Sequence, residues 1–213
     1  IVGSFEYVVP AQLFRQGLDR LAEVRERVGV PVVTDVHSED EAVAAGAGVD
    51  MIQIPAFLCR QTDLLVAAAS TGKTVNVKKG QFLAPGDVNA VATKLKEAGC
   101  TDYWITERGT TFGYHNLVVD MRGLAWMRED GHRVIMDATH AVQRPGSAGN
   151  STGGDGAMAP VLARAAVAAG VDGLFLETHP RPEQSPSDGP NMIPLAALPK
   201  TLRQIARIHE ALR

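Results

Sequence analysis

Short apolar runs rich in β-branched residues alternate along the chain with stretches whose apolar positions recur at helical spacing. Pro31–Val36, Met51–Ile54, Thr74–Val77, Tyr103–Thr106, Arg133–Met136 and Gly173–Leu176 are the strand-like runs. Each is compact and apolar on both faces, as parallel strands covered on both sides are. Between them, Leu13, Leu18, Leu21 and Val24 share one face of a predicted helix, and Leu64, Leu65 and Ala68 share another. Val88, Val91 and Leu95 form a third stripe. Ala159, Val161, Leu162 and Ala165 precede the last strand, and Leu202, Ile205 and Ile208 close the chain. Gly29, Gly72, Gly99 and Gly170 stand where these helices should end, the position at which a left-handed residue stops a helix.

Strand–helix alternation of this kind predicts an α/β fold with a parallel sheet, and both an open doubly wound sheet and a closed barrel satisfy it. No GxGxxG follows the first strand, so a dinucleotide-binding sheet lacks support. The polar residues favour the barrel. Asp35 and His37, Gln53, Lys78 and Lys79, Glu107 and Arg108, Asp137 and His140, then Glu177 and His179 all lie at or just past a strand's C-terminal end. In a (β/α)8 barrel those ends converge on the mouth where the chemistry is kept. No composition break or linker divides the chain, which predicts one barrel domain over residues 1–213. The longest irregular stretches, Gln143–Gly156 and Pro180–Asn191, each follow a histidine-bearing strand end, as functional loops do.

Composition adds limits. With 213 residues, 45 % hydrophobic and 21 % charged, the chain can bury a full core in one domain. A net charge of −3 gives no reason to expect nucleic acid or an anionic membrane surface as partner. No apolar run approaches the roughly 18 residues of a membrane span, and Ile1–Phe5 has no basic region of a signal peptide. Cys59 and Cys100 lack CxxC spacing and read as reduced thiols in a reducing, cytoplasmic compartment.

Two groups of residues could carry chemistry. His140, Glu177 and Asp188, with His179 in reserve, offer an imidazole and carboxylates, a set suited to a divalent ion such as Zn²⁺, Fe²⁺ or Mn²⁺. Their spacing is too open for a linear metal motif, and His140 alone is as readily a hydrogen-bonded strand-end histidine as a ligand. Lys78, Lys79, Arg108 and Arg60 are cations that call for anionic partners, met by a phosphorylated or carboxylated substrate or by Asp35, Glu107 and Asp137. Strand alternation lets only one of Lys78 and Lys79 point inward, and the planar fork of Arg108 suits an orienting clamp. His115, His132 and His209 read as surface residues, and Trp104 and Trp126 as packing residues.

Several long strings resemble one family. They are Ile52–Leu64 (IQIPAFLCRQTDL), Asn76–Pro85 (NVKKGQFLAP), Thr106–Tyr114 (TERGTTFGY), Asn116–Asp120 (NLVVD), Asp137–Gln143 (DATHAVQ) and Glu177–Pro180 (ETHP). From about Gly17 to the C-terminus the chain resembles the 3-deoxy-D-manno-octulosonate 8-phosphate synthases. The resemblance implies a homotetramer that condenses phosphoenolpyruvate with D-arabinose 5-phosphate and water for lipopolysaccharide sugar biosynthesis. Carried over by position, Lys78 and Arg108 would hold phosphoenolpyruvate, and Gln53, Pro55 and Ala56 would line its pocket. Arg60 would reach a substrate phosphate, Asp35 the pentose phosphate, and His140, Glu177 and Asp188 would be the metal ligands. His140, Lys78 and Asp188 would be the catalytic residues.

The wording around Cys59 and Gly80–Pro85 is closer to the family's metal-dependent branch. That branch takes a fourth ligand from a Gly-Pro-Cys string, which is absent here, and Cys59 and Cys100 match other positions. By the same resemblance the family's first βα unit would also be missing. Val2–Phe5 resembles a relic of the second strand, and Glu6–Ala11 stands in place of a Lys-Ala-Asn-Arg substrate loop. A Gly153-Gly154-Asp155 string replaces the family's basic residue after paired glycines. The alternatives are the related synthase that makes a seven-carbon acid from a four-carbon sugar phosphate, and a non-catalytic remnant of the scaffold.

Overall fold

The computed structural model describes residues 11–147 and 153–213. The Val2–Phe5 stretch, most of the Glu6–Ala11 replacement and the middle of the Gln143–Gly156 loop lie outside the described residues. Two compact units form, one reaching to Gly80 and including Asp87–Trp104, the other comprising Gln81–Gly86 and Ile105–Arg213.

The first unit opens with helix α1 (Ala11–Val28), then β1 (Val33–Asp35), α2 (Glu39–Gly48), β2 (Met51–Ile54), α3 (Thr62–Ser70), β3 (Thr74–Lys78) and α4 (Val88–Glu97). Strands β1, β2 and β3 are adjacent and parallel. Ile52, Ile54, Val75 and Val77 are fully or almost fully buried, each such side chain contributing about 1.5–3 kcal/mol over an exposed one. Asp102 ties the start of β3 down, accepting from Val75 N at 3.1 Å and from Thr74 Oγ1 at 2.7 Å. All four predicted helix-ending glycines take positive φ, from 71° to 87°.

Helix α2 has no counterpart among the predicted stripes, because EDEAVAAGAG offers almost no large apolar side chain. Its start is specified locally. Ser38 Oγ accepts from Glu41 N at 3.2 Å, and the acidic first turn complements the helix dipole. Small residues let α2 approach α3 closely. A Cβ at Gly46 would stand 2.8 Å from both Cβ and Cγ2 of Thr71, whose hydroxyl is held by Ala68 O at 2.7 Å.

Strand β4 (Tyr103–Glu107) leads into the second unit, followed by β5 (Thr110–Thr111), β6 (Leu117–Val118), α5 (Met121–Glu129) and β7 (Arg133–Asp137). Next come β8 (Gln143–Arg144), β9 (Gly153–Gly154), α6 (Ala159–Ala168), β10 (Gly173–Phe175), β11 (Thr178–His179), β12 (Ile193–Pro194) and α7 (Leu198–Ala211). Strands β7 and β10 run parallel, and three two-stranded ribbons, β5–β6, β8–β9 and β11–β12, decorate the unit. Val142, Ala159 and Ile193 form a core cluster capped by Leu162 and Leu176. Among the described residues no helix is long and apolar enough to cross a membrane.

Several side chains depart from the predicted faces. In α1, Leu21 is buried while Leu13 and Val24 are exposed; in α6, Ala163, Ala166 and Val167 are buried and Val161 faces out; in α7, Thr201 takes the buried place and Leu202 does not. His132, expected at the surface, is buried, its N–H bonded to Met127 O at 3.1 Å. Trp126, expected to pack inside, is nearly half exposed and stacks under Arg122 at 5.3 Å.

Two predictions follow from this packing. Gly46→Ala should lower stability by about 1–3 kcal/mol in urea unfolding, despite the better helix propensity of Ala. Burial also pushes the Cys59 and Cys100 thiols up from their ordinary range. A disulfide-exchange reagent at neutral pH should therefore leave both unmodified in the folded protein and titrate both after unfolding.

Candidate active site

In the first unit the strand register aligns three polar side chains. Asp35 pairs across to Gln53, and Gln53 to Asn76. The side chains continue that ladder: Gln53 Nε2 donates to Asp35 Oδ1, and Asn76 Nδ2 donates to Gln53 Oε1 at 2.8 Å. All three are buried, and each hydrogen bond runs toward the carboxylate, so the amides solvate its charge. Lys78 lies two residues beyond Asn76, on the same strand face, and is buried. Lys79 is buried as well, with Nζ 3.5 Å from Gly80 O. Burial of both lysines is compatible with alternation, since a parallel strand is covered on both faces and neighbouring side chains leave on opposite sides. Pro55 precedes a 3₁₀ turn that buries Ala56, whereas Arg60 is exposed.

In the second unit the centre of organisation is Asp137, fully buried at the end of β7. Its Oδ1 accepts from His140 N at 2.9 Å and from Thr139 Oγ1 at 3.0 Å, and its Oδ2 lies 2.6 Å from His140 Nδ1. Asp137 occupies Nδ1, so the ring presents Nε2, which lies 3.6 Å from Glu177 Oε1. Thr139 Oγ1 accepts from Glu177 N at 3.1 Å and so ties down the backbone that carries the second carboxylate. The β11–β12 ribbon adds Ile193 N donating to Glu177 O at 3.0 Å.

Asp188 arrives on the loop between those two strands with left-handed backbone, φ 53°, a conformation Asp tolerates better than most residues. Asn191 N holds its carbonyl at 2.8 Å, and Gln143 Nε2 holds Oδ1 at 2.6 Å. One ligand atom each from His140, Glu177 and Asp188 lies within 4.8 Å of the others. An imidazole whose far nitrogen is bonded to a carboxylate, facing two more carboxylates, is a donor set suited to a borderline divalent ion. Arg108 joins this group through Gln143, whose Oε1 accepts from Nη2 at 2.5 Å.

The predicted trio of His140, Glu177 and Asp188 is thus brought together, while His179, held in reserve, turns its ring to the Arg181 backbone. Neither cysteine belongs to the cluster. The sequence marks Asp137 as a strand-end carboxylate without revealing it as the partner of His140, and it gives Asn76 and Gln143 no role in these networks. Asn76 sits two residues before Lys78, and Asp137 and Gln143 bracket His140 in the DATHAVQ string.

The sequence profile of the DAHP synthetase I family matches residues 13–213. A protein of Cyanothece sp. (strain PCC 7425 / ATCC 29141) named 2-dehydro-3-deoxyphosphooctonate aldolase is 54 % identical over 201 residues, covering 94 % of this chain and 74 % of that protein. Like-named proteins of Granulibacter bethesdensis and Azoarcus sp. (strain BH72) are 55 % identical over 190 residues and 56 % over 200. Those alignments cover 89 % and 93 % of this chain, and 67 % and 72 % of the relatives.

Removing the Asp137 carboxylate leaves buried donors on His140 and Thr139 without an acceptor. Asp137→Ala should destabilise the protein by about 1–3 kcal/mol per abandoned group, read by thermal or urea unfolding. Asp137→Asn, which keeps an acceptor oxygen, should cost less.

Proposed function

This chain belongs to the DAHP synthetase I family, and on that premise we propose that it acts as its octulosonate relatives do. It condenses phosphoenolpyruvate with D-arabinose 5-phosphate and water to give 3-deoxy-D-manno-octulosonate 8-phosphate and phosphate. A carbon–carbon bond forms between the methylene of phosphoenolpyruvate and the aldehyde carbon, and water takes the place of the departing phosphate. The observation that carries this reading is identity of 54 % to 58 % to proteins of that name, over 86 % to 94 % of the chain. The seven-carbon alternative is not favoured, since the relatives carry the eight-carbon name.

The roles of individual residues follow from the resemblance together with their surroundings. We assign Lys78 and Arg108 to phosphoenolpyruvate, with Gln53, Pro55 and Ala56 lining its pocket, Asp35 on the pentose phosphate and Arg60 on a substrate phosphate. Both Lys78 and Arg108 are buried, and charge held in a water-poor setting acts more strongly on an anion than an exposed one does. The guanidinium of Arg108 is held from one side by Gln143, which sets the plane of its fork.

His140, Glu177 and Asp188 would hold a divalent ion, and Asp137 would keep the imidazole turned and raise its basicity as a ligand. When bound, such an ion supplies Lewis acidity that polarises the aldehyde and orients a water. A barrel of the (β/α)8 type short of its first βα unit is the finer architecture in this reading, supported by parallel strands whose C-terminal ends carry the polar residues. A cytoplasmic homotetramer is the corresponding state in solution.

Phosphate release from phosphoenolpyruvate on adding D-arabinose 5-phosphate tests the function directly. Release should require both substrates, fall on chelation and return with Mn²⁺. His140→Ala, Glu177→Ala and Asp188→Ala should each lower it by about 10- to 100-fold or more. No release from folded protein with any of several divalent ions would identify a scaffold without the chemistry.

A further inference from the structure

One side chain connects the cationic and the anionic parts of the second unit's cluster. Gln143 accepts from Arg108 Nη2 through Oε1 and donates to Asp188 Oδ1 through Nε2 at 2.6 Å. The orientation of this amide is dictated by its neighbours. A guanidinium can only donate and a carboxylate can only accept, so a flipped amide would oppose donor to donor and acceptor to acceptor. Among side chains of this length only an amide serves both ends at once. A carboxylate would meet Asp188 with like charge, and an apolar chain would serve neither.

The backbone seats Gln143 as firmly as its amide is oriented. Gln143 caps the turn that carries His140, donating its N–H to His140 O. It is paired with Gly154 in the β8–β9 ribbon. Across from Gly154 stands Asn191, fully buried, where a Cβ on the glycine would come 1.4 Å from Asn191 Oδ1. The buried Asn191 side chain thus stands as a wedge against the ribbon. Asn191 N in turn holds Asp188 O at 2.8 Å. Ribbon, wedge and Asp188 loop thus form one closed circuit with Gln143 at its centre.

We infer that Gln143 is a positioning residue, a strut that sets the Arg108 guanidinium and the Asp188 carboxylate in fixed relation. Through it, binding of the anionic substrate and of the divalent ion depends on one amide. This rests on the proposed roles of Arg108 and Asp188.

The test uses Gln143→Met, which keeps the volume and removes both hydrogen bonds. Two constants are read on protein whose unfolding midpoint matches wild type: the KM for phosphoenolpyruvate from phosphate release at saturating D-arabinose 5-phosphate, and the Kd for Mn²⁺ by calorimetry without substrates. Both should rise about tenfold, the usual effect of losing an outer partner of a ligand, with kcat reduced much less than kcat/KM. Gly154→Ala, which leaves Gln143 in place but drives the wedge away, should move both constants in the same direction. Either constant staying within twofold of wild type in Gln143→Met overturns the strut. Arg108→Ala and Asp188→Ala separate failure of the strut from failure of the site assignment. If they change KM and Kd strongly while Gln143→Met does not, only the strut fails; if they too leave both constants unchanged, the assignment of the site fails with it.

Discussion

The carboxylate of Asp137 is the interaction on which the second unit's site depends. It sits in full burial at the end of β7, and such a charge is tolerated only where hydrogen bonds replace its lost water. Thr139 Oγ1, His140 N and His140 Nδ1, from the next three residues of the chain, are donors that do so. Satisfying the buried charge and shaping the turn are therefore one event. The turn presents His140 Nε2 outward, and Thr139, already engaged, accepts from Glu177 N and aligns the following strand end. A local solvation problem is thereby converted into the relative placement of two ligand-type side chains.

The first unit solves the same problem with neutral groups. Asp35 is solvated by Gln53, and Gln53 by Asn76, along a line set by the register of three parallel strands. Amides can pass hydrogen bonds along such a row because each offers a donor and an acceptor. The second unit uses one amide, Gln143, between opposite charges instead. Amides in both units thus fix the orientation of charged groups without adding charge of their own, which keeps buried sites affordable to fold and rigid enough to bind.

Much of this was legible in the chain. The strand cores over Met51–Ile54, Thr74–Val77, Tyr103–Thr106 and Arg133–Met136 lie within observed strands, because parallel strands covered on both sides show as uninterrupted apolar runs. The helix-ending glycines were legible because positive φ is close to a glycine requirement. Helix α2 was not, since Ala and Gly carry no readable stripe, and its role lies in letting Thr71 come close. Val161 and Leu202 were placed on the wrong face because periodicity gives a spacing without saying which side meets the core.

By itself the sequence determined the parallel α/β class and the family, and it offered His140, Glu177 and Asp188 as candidates by their donor chemistry. Those properties live in local patterns and in long matching strings, which need no coordinates. Only the tertiary structure decided that these three come within reach of one another, that Asp137 holds the imidazole, and that Gln143 links Arg108 to Asp188. Hydrogen bonds between residues 35 and 45 positions apart depend on how loops close in space, and linear spacing carries no record of that closure.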